Sequence, residues 1–340
     1  MWANPTSMPT PYVYLYSLQV QYALPASWVA TIGYSGSSSH DLLRIKNLKF
    51  FYPQQSTQIN NVFSFTPDTQ ANFNALIAQI EHRFTHGLLL NFSYTFSKSI
   101  DELSSEGPGF VTNQTFPTVL GTERGPSDYD ATHYVRAYAL WDLPIFRTRS
   151  DWVGKIVGGW QLSPIFTFHS GFPWTPVASN ICPVLGSGNL CPLRPIGYLG
   201  GAVQNYNTSA FLPPTSGVFP NPSVSYFTLQ TTGNTPMFPG IGRNSFRGPR
   251  YTAVDLSVAK SFGLPTMRFF GENSKIELRM NLYNVFNQLN LSPFTFGSAS
   301  TTVSNCCGNT PFANPNFGVA SFQNGGLAGR TMELQARFAF

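Results

Sequence analysis

Leu88-Leu89-Leu90-Asn91-Phe92-Ser93-Tyr94-Thr95-Phe96-Ser97 is the stretch that decides the fold. Leu88, Leu90, Phe92, Tyr94 and Phe96 fall on one side of an extended chain, and Asn91, Ser93, Thr95 and Ser97 fall on the other. That period of two is the signature of a β-strand between two different environments. Before it, Thr85-His86-Gly87 reads as a tight turn. Before the turn, Leu76, Ala78, Ile80 and Phe84 alternate with Gln79, Glu81 and Arg83. The pair is a β-hairpin.

The same pattern recurs in both directions. Tyr12 to Tyr22 and Trp28 to Ser35 form a first hairpin about a Leu24-Pro25-Ala26 turn. Downstream lie His133 to Trp141, Trp160 to His169, and a strand with Val254, Leu256 and Val258 opposite Asp255 and Ser257. Ile276, Leu278, Met280 and Leu282 then alternate with Glu277, Arg279 and Asn281. Finally Met332, Leu334, Ala336, Phe338 and Phe340 alternate with Glu333, Gln335 and Arg337. The expected fold is all-β: an antiparallel up-and-down meander of about nine strands, curved but not closed. Lys260 breaks the pattern by standing on an apolar face; snorkelling at a membrane edge or a bulge would explain it.

Alternation alone does not separate a soluble sandwich from a membrane barrel. The connections do. Short ones are expected after Tyr22, Phe84, Trp141 and Phe262, and long ones at about 36–70, 99–130, 171–248 and 289–325. Membrane barrels have short periplasmic turns and long extracellular loops. Apolar strand faces also carry Tyr or Trp near their ends, at Tyr12, Tyr22, Trp28, Tyr34, Trp141 and Trp160, as interfacial girdles do.

Composition agrees. Charged residues make up 10% of the 340, against roughly 25% in soluble domains. Aromatics reach 15%, yet mean hydropathy is only −0.08. One wet face and one greasy face give that average. No run of 18 apolar residues indicates a transmembrane helix. The net charge of +5 is spread thinly, which argues against nucleic acid. Met1-Trp2-Ala3-Asn4-Pro5 has no secretion-signal character, so residues 1–340 are expected to be the C-terminal part of a longer outer-membrane barrel.

No catalytic, cofactor or metal constellation is found, and the chain is not expected to be an enzyme. His82 and His86 straddle a strand end and a turn, so their rings need not converge. Gly240-Ile241-Gly242 precedes no helix and reads as a turn. Glu81, Arg83, Glu277, Arg279, Glu333 and Arg337 share the polar face, as a charge network in a barrel lumen or as part of a substrate path. Cys182 and Cys191 lie in one Gly/Pro-rich loop; a disulfide between them and four unpaired thiols both remain open. Cys306 and Cys307 are adjacent in another loop. The closing strand, with Met332, Leu334, Phe338 and terminal Phe340, resembles the signal read by the barrel-assembly machinery. The expected partners are outer-membrane lipid and that machinery. The rival reading is a secreted, aromatic-rich β-protein that binds glycans or surfaces; two packed sheets would favour it.

A series of short stretches also resembles a known family. They are Tyr94–Asp101, Glu123-Arg124-Gly125 through Ser127-Asp128-Tyr129-Asp130, Leu140-Trp141-Asp142-Leu143-Pro144 and Gly158-Gly159-Trp160-Gln161-Leu162-Ser163. Ser170-Gly171-Phe172-Pro173, Gly242-Arg243-Asn244-Ser245 with Arg247-Gly248-Pro249, Asn284-Val285-Phe286-Asn287 and Phe340 follow in order. Together they resemble the C-terminal barrel of Oar-like TonB-dependent receptors. The resemblance implies uptake of an unidentified substrate through a 22-stranded barrel, with TonB acting through a plug domain. About nine strands and no plug are found within residues 1–340.

Overall fold

The computed structural model describes residues 5–47, 62–104, 119–146, 151–177, 179–181, 190–195, 197–200, 227–228, 240–263, 274–294, 301, 303–305, 312–313, 317–318 and 329–339. Nine long strands dominate: β1 (Tyr12–Leu24), β2 (Trp28–Asn47), β3 (Phe63–Thr85), β4 (Leu88–Asp101), β5 (His133–Asp142), β6 (Trp160–His169), β7 (Tyr251–Gly263), β8 (Lys275–Tyr283) and β9 (Thr331–Ala339). They pair in chain order, each antiparallel to the next, in one sheet; Gly125–Pro126 adds a short piece beside β4. β1 and β9 are its two ends, so the meander is open. Every sequence-read strand is present.

One end of the sheet carries the tight connections. At the β3–β4 turn His86 and Gly87 both have positive φ, 52° and 83°, the pair of left-handed residues that a two-residue hairpin needs. His82 contacts the Leu88 carbonyl at 3.1 Å and the Thr85 hydroxyl at 3.4 Å there.

The opposite end carries the long connections, and two expectations about lengths are corrected. β2 and β3 run to 20 and 23 residues, so much of 36–70 is strand rather than loop. A tilted membrane-crossing strand needs about 9–11 residues, so this hairpin projects well past its neighbours. Its upper part is held by Arg44, buried, donating to Asp68 at 2.6 and 2.9 Å, and by Thr69 donating to the Leu42 carbonyl. The Gly/Ser-rich Gly36–Ser39 extends because Asn72 and its neighbours supply a complete ladder of partners. The connection after Trp141 is not a short turn either. It contains a helix, α1 (Trp152–Val157), whose N-terminus is capped by the Asp151 carboxylate accepting from the Gly154 N–H at 3.0 Å.

Register keeps the two faces distinct across the whole sheet. Directly opposed residues share a face: Leu18, Tyr34, Leu76 and Phe96 form one row, and Trp141, Leu162, Val258, Met280 and Leu334 another. These apolar rows are open to the surroundings. Leu18 is 71% exposed, Leu278 47% and Leu334 72%. No second sheet covers them among the described residues; the other sheets there are two-stranded pieces in the loops. The glycan-binding sandwich needs a partner sheet at this face, and the described residues supply none. The buried apolar cluster lies elsewhere, in the long loops: Trp174, Phe227, Val303 and Phe317, with Ile241, Phe246 and Phe294 against it.

Candidate functional site

The polar face at the loop end is where the chain concentrates its chemistry. β4 ends in Ser97, Ser99 and Asp101, all on that face. Ser97 donates to the Ala131 carbonyl at 2.9 Å, and the Ser99 N–H donates to Asp130 at 2.7 Å. The 119–132 segment is thereby folded down onto the sheet.

The 240–250 segment then locks it. Arg243, buried, donates through Nε to the Glu123 carbonyl at 2.7 Å and through Nη2 to the Asp101 carbonyl at 2.6 Å. It also pairs with the Asp101 carboxylate and reaches Ser104 at 3.2 Å. Asn244 follows in the left-handed region, φ 54°, where Asn is well tolerated. Its amide donates to the Pro126 carbonyl and to Asp128 at 2.8 and 2.6 Å, and its N–H donates to Thr175 at 2.8 Å. Arg247 holds Asp130 at 2.5 Å, with Lys98 at 3.5 Å on the same carboxylate. Arg194 meets Glu123 at 3.0 Å. Burial lowers the pKa of Arg194, Glu123 opposes that fall, and Arg243 adds to it.

Close backbone approach completes the knot. The Gly248 N–H donates to the Phe172 carbonyl at 2.9 Å, and a Cβ on Gly171 would run into the Gly248 carbonyl. Only glycine fits there. Asn290 seals the start of β7, accepting from the Thr252 N–H and donating to the Thr252 carbonyl, both at 2.9 Å. Asn284, fully buried, ties Gln288 back through its side-chain amide and sits in the left-handed region, φ 51°, which asparagine tolerates.

Below this knot, rings line the polar face. Tyr134, His169 and Tyr251 are cross-strand neighbours on β5, β6 and β7, stacked nearly parallel at 6.2 and 5.2 Å. His169 Nδ1 contacts the Ser170 carbonyl at 2.9 Å. A carbonyl only accepts, so Nδ1 carries the proton and a neutral ring offers Nε2 as an acceptor. A cavity of about 220 Å³ opens beside Tyr134, lined also by Phe73, Thr95, Ser97, Ser99 and Tyr129. A larger one, about 360 Å³, lies at the turn end, where Asp142, Gln161, Ser261, Lys275 and Glu277 meet. Hydroxyls and ring edges dominate the first cavity, and Asp142, Lys275 and Glu277 bring charge to the second. Among the described residues no three His, Cys, Asp or Glu side chains converge as a metal site.

The expected lumenal charges divide. Glu277 and Arg279 do pair, at 2.8 Å. Glu333 instead takes Tyr283 and Asn281, at 3.3 and 3.4 Å. Arg337 sits opposite Glu277 in register without an ion pair. Glu81 and Arg83 do not pair either; Arg83 lies past a register shift at the turn. They form no single network. Met332, Leu334 and Phe338 lie on the exposed apolar face, while Phe340 falls outside the described residues. So do Cys182, Cys306 and Cys307; Cys191 lies in a short strand, Leu190–Leu193.

One family model, the outer membrane beta barrel domain, matches the chain over residues 1–333. The chain belongs to that family. Its place is therefore the cell outer membrane. No curated protein matches it. Among solved structures it is similar to the outer membrane transporter YddB from Escherichia coli, at 10% identity and a TM-score of 0.47, over 97% of this chain and 32% of that one. The chain thus spans about a third of that protein's length. The knot residues had been visible only as separate stretches of the family resemblance. Their charges in otherwise charge-poor loops were the one sequence signal that they belonged together.

Proposed function

We propose that this chain is the C-terminal part of a TonB-dependent transporter barrel of the Oar-like type. The observation that carries this reading is the two-faced sheet. Its apolar rows meet lipid, its polar face lines the lumen, and the loop knot caps that lumen at the extracellular end. In a lipid environment the paired strands satisfy their backbone within the sheet, and the free edges of β1 and β9 need further strands of a closed barrel as partners. The lumen wall supplies hydroxyls and ring edges along a substrate path, with Glu277, Arg279, Glu333 and Arg337 as lumenal polar groups. Phe340, with Phe338, Leu334 and Met332, serves the barrel-assembly machinery. TonB acts on a plug domain, and these strands form the wall it moves against. The role is transport, not catalysis.

The test uses the full-length parent. Cells with and without TonB, each with and without the gene, are compared for depletion of solutes from the medium. At least one solute should disappear only when both are present. Equal depletion in all four strains, together with failure of the parent to bind TonB, overturns the transporter reading. Separately, Phe340→Ser should reduce the heat-modifiable, folded fraction in outer membranes; an unchanged fraction removes the assembly role.

A further inference from the structure

Lys260 stands on the apolar face, in register with Trp160 and Leu278 and between Val258 and Phe262. It neither snorkels nor follows a bulge. It is 3% exposed, and its ammonium donates to the carbonyls of Ile156 and Gly158 at 2.7 and 2.5 Å. The rings of Trp160 and Phe262 flank it at 5.0 and 5.1 Å. The Trp160 indole N–H donates to the same Ile156 carbonyl at 3.2 Å.

These carbonyls are the orphan acceptors at the end of α1. A lysine alone on a lipid-facing surface is costly, and so are bare carbonyls. Joined, each removes the other's cost. The cation also complements the negative end of the helix. The effect is to pin α1 to the apolar face of the barrel at its turn end. Gly158 lets the backbone of Ile145 and Phe146 pack against the end of α1, since a Cβ there would meet the carbonyls of Gly154, Phe146 and Ile145 at 2.6 to 3.2 Å.

The pinned segment then presents apolar side chains outward. Ile156 is 58% exposed, Val157 41%, Ile145 47% and Phe146 43%. This patch borders the exposed Trp141 and Phe262, the last apolar residues of β5 and β7. The Phe262 ring flanks the Lys260 ammonium that holds the Ile156 carbonyl, and Leu143, two residues after Trp141, donates its N–H to the Trp160 carbonyl. We propose that α1, with Ile145 and Phe146, is an interfacial foot that binds the phospholipid monolayer at the periplasmic side, and that Lys260 is its positioning residue. The proposal rests on the barrel reading above. The occupant is lipid because the patch continues the lipid-facing surface. A short helix lying at the headgroup boundary, beside a tryptophan belt, is a known way for apolar side chains to dip into acyl chains.

The test is photocrosslinking in the full-length parent in outer membranes. Ile156→p-benzoylphenylalanine and, in a separate protein, Leu278→p-benzoylphenylalanine are irradiated, and the labelled peptides are weighed. Both should carry phospholipid adducts. An adduct at 278 with none at 156, or a protein crosslink at 156, overturns the foot while leaving the barrel reading intact. No lipid adduct at either position overturns both. Adding Lys260→Met should lower the adduct at 156 severalfold and leave that at 278 unchanged, with Lys260→Arg restoring it. An unchanged adduct at 156 in Lys260→Met removes the role of Lys260. If Lys260→Met does not assemble, the comparison of 156 with 278 in the otherwise unaltered protein still decides the lipid contact.

Discussion

Replacing Arg243 with Met should open the extracellular knot without unfolding the barrel. Arg243 is buried and holds Asp101, Ser104 and the Glu123 carbonyl, bridging segments 120 and 142 residues apart in sequence. Its loss leaves the Asp101 carboxylate buried with its cation gone, and the Asp101, Glu123 and Gly125 carbonyls short of a donor. Breaking a buried ion pair from one side costs about 3–5 kcal/mol. At about 1.4 kcal/mol per tenfold, the opening equilibrium of the knot shifts by roughly two to three and a half powers of ten. Cleavage of a locally open state follows that equilibrium when closing is fast. The assay is glutamyl endopeptidase cleavage after Glu123, which is fully buried in the closed knot, on the full-length parent in outer-membrane vesicles. Cleavage should rise steeply while heat-modifiable mobility stays that of a folded barrel. Adding Asp101→Leu should cost less than the sum of the two single changes, because no charge is then stranded. Unchanged cleavage after Glu123 in a folded Arg243→Met barrel would refute the reasoning; so would loss of the barrel itself, since the knot would then be holding the sheet.

Leu334→Arg should destabilise the folded barrel by about 2–4 kcal/mol if the residue lies at mid-membrane, and Arg337→Leu by clearly less; denaturant midpoints in lipid vesicles compare them, and equal shifts would defeat the assignment of faces. Gly171→Ala should cost about 1–3 kcal/mol of knot stability by forcing backbones apart, read as faster cleavage after Glu123. Gly121→Ala, with nothing within 4 Å of the added carbon, should leave that cleavage unchanged. Cys182 and Cys191 should be joined in protein from the oxidising periplasm; mass spectrometry of non-reduced peptides showing both thiols free would remove the bridge.

The strands were legible in the sequence because their signal is local. Alternation such as Leu88 to Ser97 is complete within ten residues, and each face has one environment along its whole length. Strand ends were less legible. Gly36 to Ser39 reads as loop because its residues have no strand preference of their own; the ladder with β3 extends them. The helix after Trp141 was hidden because six residues are too few to show a 3.6 period, and Lys260 looked anomalous because its partners are carbonyls about a hundred residues away. The knot was the least legible of all. Arg243, Asn244 and Arg247 act on groups 69 to 142 residues distant, and nothing within one segment shows which carboxylate belongs to which guanidinium.

The open meander has a parity. β1 descends from the loop end to the turn end, and with nine strands alternating in direction β9 descends too. Bringing β9 round to β1 would therefore set two descending strands side by side, with the slanted, weaker hydrogen bonds of a parallel pair. A second copy in the same membrane orientation meets the same obstacle, because its β1 also descends. An all-antiparallel wall closes only when the strands inserted between β9 and β1 are odd in number, the first and last of them ascending. That count constrains any assembly in which this sheet takes part, and strand directions in a structure of the closed barrel would check it.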